Sequence, residues 1–63
     1  MKKSEALKIL GLADGASDDE IKKAHRKLVI AHHPDKFPLD SKERAEAEEL
    51  TKRINEARDV LLN

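Results

Sequence analysis

The chain has 63 residues, enough for one small domain whose folding removes only about 60% of the unfolded surface from water. Its 13 Lys and Arg are balanced by 13 Asp and Glu, which excludes a nucleic-acid or membrane binder driven by bulk positive charge, and the single aromatic, Phe37, leaves no stacking platform for bases. No cysteine is present, so neither disulfides nor thiolate zinc sites staple the fold, and a reducing compartment, with the cytoplasm as the expected location, is permitted.

The start Met1-Lys2-Lys3 runs into Ser4-Glu5 and not into an apolar segment. Nowhere does an apolar run approach the roughly 18 residues of a membrane span, so no membrane contact is expected. Ser4 is placed to cap a short first helix over about 5–10, with Leu7 and Leu10 offered to the core and Gly11 suited to a left-handed stop. Asp14-Gly15 then reads as a turn, and Ser17-Asp18-Asp19-Glu20 fits a capping box in which Ser17 and Glu20 satisfy each other's backbone donors. A second helix over about 18–32 follows. Ile21, Ala24 and Leu28 recur at helical spacing, with His25 and His32 on the flank, while Lys22, Lys23, Arg26 and Lys27 face the solvent side with no acid among them.

Pro34 lacks a backbone N–H and clashes with a preceding turn, so it must end that helix. The segment 33–40 holds two prolines and no helical period and reads as a loop. Asp40 and Glu43 offer a capping pair for a third helix over about 41–62, where Ala47, Leu50, Ile54, Ala57 and Leu61 form one apolar stripe. The short connection places the second and third helices side by side and antiparallel, with the first packed along them. The expected fold class is all-α, and residues 1–63 form a single domain.

His33, Pro34 and Asp35 are the most informative residues. They put an imidazole and a carboxylate on either side of a rigid residue at the end of a basic helix, which describes an interaction epitope and not a catalytic apparatus. Singly, each has an ordinary meaning: a loop-stabilising ring, a helix stop, a solvated carboxylate. The three histidines do not make a metal site by spacing, because His32 and His33 point about 100° apart on a helix and His25 lies two turns before His32. No Gly-rich phosphate loop is present, so no bound nucleotide is expected; no cofactor and no catalytic role of the chain's own are expected either.

The stretch Asp19 to Lys36, DEIKKAHRKLVIAHHPDK, closely resembles the second helix and loop of a J-domain, the module of DnaJ-type co-chaperones. Ile9-Leu10-Gly11-Leu12 is similar to the end of that family's first helix, and Ile54-Asn55-Glu56-Ala57 with Val60-Leu61 to the end of its third. The resemblance implies a monomeric module that docks on the ATP-bound state of a DnaK-type heat-shock chaperone and stimulates its ATP hydrolysis. It implies that Asp35 engages a cation near the partner's interdomain junction, that His33 and Pro34 fix its geometry, and that Lys22, Lys23, Arg26, Lys27 and Lys36 dock electrostatically.

Departures from the family pattern define what else to look for. Ala6 and Leu7 stand where the first helix commonly carries tyrosines, His25 and Arg58 stand at two further tyrosine places, and Thr51 occupies a place often held by a large apolar residue, which either leaves the helix pair less tightly packed or lets Leu50 fill the space. His25 is expected to be partly buried against the first or third helix. Phe37 replaces a more usual polar residue and is expected to close the open end of the core, an added partner contact being its other reading. The chain ends at Leu62-Asn63, before the short fourth helix of many J-domains, so helix IV is expected to be missing. A J-like module that tethers its partner without stimulating it is the alternative function, and a nucleic-acid-binding helical domain is the third reading.

Overall fold

A computed structural model describes every residue from Met1 to Asn63 and contains three α-helices, α1 (Lys3–Leu10), α2 (Asp18–Ala31) and α3 (Lys42–Leu62), with a 3-10 turn at Pro34–Lys36. No strand is present, as the all-α expectation required. Each helix begins and ends for a local reason. Lys2 and not Ser4 occupies the first N-cap, without a side-chain bond, so α1 starts earlier than its capping residue suggested. It stops at Gly11, whose φ of 71° carries a Schellman motif: the Gly11 N–H donates to Lys8 O at 3.0 Å and the Leu12 N–H to Leu7 O at 2.8 Å. That closure swings Leu12 back onto the core.

The capping box at α2 is complete, the Glu20 N–H donating to Ser17 Oγ and the Ser17 N–H to Glu20 Oε1, each at 3.2 Å. At α3 the cap is Ser41, one residue beyond Asp40; its Oγ accepts from the Arg44 N–H at 3.1 Å while its hydroxyl donates to Pro38 O at 2.8 Å. The tie to Pro38 explains the shift, since a hydroxyl both accepts and donates and a carboxylate only accepts.

Two side-chain contacts, one from α2 and one from the turn after it, show how this part of the chain pairs with α3. His25 Nε2 donates to Asn55 Oδ1 at 2.7 Å, and near the connection Asp35 lies 3.5 Å from Arg44. As one index falls the other rises, which is antiparallel packing. Ala6, Leu10, Ile21, Ile54 and Ala57 form the core cluster, with Ile9, Leu12, Ala24, Leu28, Leu50, Val60 and Leu61 packed around it. The stripe read for α3 therefore faces inward. In α1 the buried pair is Ala6 and Leu10, while Leu7 is only half-buried. Ala6 and Ala57 are fully covered, and their small side chains let α1 settle closely against α3.

The predicted departures have structural outcomes. His25 is half-buried and bonded across to α3; Thr51 turns its hydroxyl onto Ala47 O at 2.7 Å, and Leu50 joins the apolar layer. Phe37 is half-buried but stands outside the core cluster, so it does not close it. Arg58, also half-buried, donates from Nη2 to Asp59 at 2.9 Å.

Only six residues are buried, and Ile54 is the one large side chain with no exposure, so stability concentrates there. A single core this small supplies about 3–5 kcal/mol, and Ile54→Ala should remove about 2–5 kcal/mol of it, leaving a largely unfolded chain in urea titrations followed by circular dichroism. Gly11→Ala meets no atom within 4 Å yet forces a side chain to positive φ, and the same titration should register a loss of about 1–2 kcal/mol.

Candidate functional site

The site begins where α2 ends. His32 takes the C-cap, its N–H donating to Leu28 O at 3.0 Å, and the next residue turns extended because Pro34 follows. Proline's fixed φ suits the first position of a helical turn, and the chain makes one turn of 3-10 helix: the Lys36 N–H reaches His33 O at 3.1 Å and the Phe37 N–H reaches Pro34 O at 3.0 Å. Within the segment 33–40, Pro34–Lys36 thus form an ordered turn.

Within it His33 acts as the N-cap. Its Nδ1 accepts the Asp35 N–H at 3.2 Å, so that nitrogen carries a lone pair and no proton. The same Nδ1 lies 3.7 Å from Asp35 Oδ2, and an unprotonated nitrogen makes no ion pair there. The cation that does meet Asp35 comes from α3: Arg44 Nη2 is 3.5 Å from Oδ1, and Arg44 Nε donates to Glu48 Oε1 at 3.4 Å, one helical turn on. No local pattern in the sequence singles out Arg44. Its place could have been inferred from the antiparallel pairing, which sets the first turn of α3 beside the residues after α2.

The Asp35 side chain remains 76% exposed, so Arg44 touches it without covering it. Lys22, Lys23, Arg26 and Lys27 are all exposed, and none lies within ion-pairing distance of an acid; Lys36 is likewise exposed and unpaired. At 100° per residue the four α2 cations span about 140° of the helix surface, opposite the side bearing Ile21 and Leu28. The exposed Ile30 lies on the same arc. All eight residues expected to bind a partner are therefore reachable from solvent, with Pro34 half-buried as the pivot of the turn.

The surface offers little for small-molecule chemistry. Its larger depression, about 250 Å³ beside Leu39, Ser41 and Arg44, is open to solvent, and no three His, Asp or Glu side chains converge to hold a metal ion. No helix is long and apolar enough to cross a membrane.

Comparison with known proteins gives one family. The DnaJ domain matches residues 5–63. Over 61 residues, 97% of this chain, the sequence is 52% identical to the chaperone protein DnaJ of Clostridium perfringens, and 56% identical to that of Clostridium botulinum strain Eklund 17B, covering 15% of each relative. The chaperone protein DnaJ of Chlorobaculum tepidum is 54% identical over the same length, of which 14% is covered. The chain thus spans about a seventh of the relatives it matches. No solved structure matches it.

The His33 cap can be tested without any partner. His33→Phe keeps a flat ring but removes the acceptor, and hydrogen exchange at the Asp35 amide, followed by NMR, should accelerate about three- to tenfold, the worth of one net hydrogen bond. Unchanged exchange would show that the ring does not hold that amide.

Proposed function

The chain belongs to the DnaJ-domain family, and from that premise we propose that it is a co-chaperone module that docks on the ATP-bound state of a DnaK-type heat-shock chaperone and stimulates its ATP hydrolysis. One observation carries the reading: an exposed carboxylate on a proline-fixed turn stands at the end of a helix whose four exposed cations have no partners within the molecule. Cations left unpaired on one face, in a chain of zero net charge, are available to an acidic surface elsewhere.

Docking has two components. Lys22, Lys23, Arg26 and Lys27, with Lys36, steer and orient the encounter, which speeds association and weakens with salt over a Debye length of about 8 Å at physiological ionic strength. Asp35 then engages an arginine of the partner near the junction of its two domains, a directional charge-assisted contact. Pro34 sets the turn, and His33 holds the Asp35 backbone N–H.

The chain performs no bond chemistry in this scheme. It binds one conformation of the partner better than another and so shifts that partner's interdomain equilibrium; equal affinity for both would shift nothing. Nucleotide belongs to the partner. The module acts as a monomer, and the cysteine-free sequence is compatible with a cytoplasmic setting.

Single-turnover ATP hydrolysis by a DnaK-type chaperone tests the proposal. The parent chain should accelerate it, Asp35→Asn or His33→Gln should abolish the gain while helicity persists, and Lys22→Glu with Lys27→Glu should weaken it more at low than at high salt. Binding without acceleration would select the tethering alternative. Mutants as active as the parent would remove the site assignment.

A further inference from the structure

We propose that Arg44 is a positioning residue for the interaction turn, holding the Asp35 carboxylate in the orientation that a partner's cation meets; this rests on the docking role given to Asp35 above. The backbone of the turn is set by Pro34 and by the His33 ring, but neither restrains the Asp35 side chain beyond its Cβ. His33 Nδ1 is committed as an acceptor to the Asp35 N–H, so it offers the nearby Oδ2 no proton. Lys36 follows Asp35 in sequence but makes no ion pair with it. Arg44 Nη2, 3.5 Å from Oδ1, is therefore the one cationic restraint on that carboxylate.

Arg44 is suited to restrain and not merely to screen. Its side chain is only 26% exposed, it leaves the first turn of α3 directly after the Ser41 cap, and its Nε is tied to Glu48 at 3.4 Å. A long side chain held at its base and along its stem presents its terminal Nη2 in a narrow range of positions. Glu48 also offsets its charge. Asp35, Arg44 and Glu48 together keep one net negative charge, so the turn still attracts a cation although an arginine already sits beside it.

A carboxylate has two oxygens and about four lone-pair directions, and Arg44 occupies one edge of Oδ1. With three-quarters of the side chain open, Oδ2 is left for a second guanidinium, which can bind without displacing the first. Fixing the rotamer in advance lowers the ordering cost of docking and therefore raises affinity, while leaving the docked state unchanged. The contact is solvent-exposed and longer than an ideal ion pair, so a modest effect is expected, several-fold and not all-or-none.

Two readouts on the full chain test this. The first needs no partner: three-bond couplings reporting Asp35 χ1 should show one dominant rotamer in the parent and averaging in Arg44→Gln. The second is ATPase stimulation, where Arg44→Gln should raise the half-maximal concentration about two- to fivefold with the saturated rate unchanged, and Arg44→Lys should restore part of the loss. Averaged couplings already present in the parent, or an Arg44→Gln variant with the parent's half-maximal concentration, would overturn the assignment. A drop in the saturated rate alone would also overturn it, since positioning acts on binding. A parent that stimulates no ATPase removes the docking role on which this rests, and the couplings still decide whether Arg44 fixes the carboxylate.

Discussion

The structure turns on what a proline cannot do. Pro34 has no N–H to return to the carbonyl four residues back, and its ring excludes the helical conformation from the residue before it. Consequently α2 ends at Ala31, His33 becomes extended, and the backbone restarts as a single 3-10 turn. That break indexes the candidate site. It fixes how far Asp35 lies from the cations of α2, brings the start of α3 alongside, and frees the His33 ring to cap the new turn.

The core that supports this arrangement is thin and aliphatic. Six buried residues suffice because two of those at the α1–α3 contact are alanines, which trade side-chain volume for close backbone approach, and because no buried side-chain polar atom lacks a partner. With the apolar sides of all three helices turned toward one another, the solvent side of α2 is under no packing obligation. Its lysines and arginine are left exposed and unpaired.

Legibility in the sequence followed the range of the interaction. The Ser17–Glu20 box, the Gly11 stop and the α3 stripe are written within a turn or two, and each appears in the structure as read. Asp40 and Ser41 are both good caps, and a contact with the Pro38 carbonyl decides for Ser41, one residue later than the sequence predicts. The sequence points Leu7 inward where the structure buries Ala6, since α1 offers two apolar faces in eight residues and only α3 selects one. For the site, the exposure of the basic face and of Asp35 followed from helical spacing and the proline. Arg44 did not, because its meaning depends on which residues the hairpin brings opposite one another, and that is a property of the pairing and not of any local window.

The bond from His25 to Asn55 is the only side-chain hydrogen bond that joins two helices. Aliphatic contacts are non-directional, whereas a hydrogen bond depends on angle as well as distance. Added to the packing of Ile21, Ala24 and Leu28, this bond gives α2 a directional tie to α3 on the side away from its lysines. Aim, and not only adhesion, is thereby written into the spot where the histidine stands.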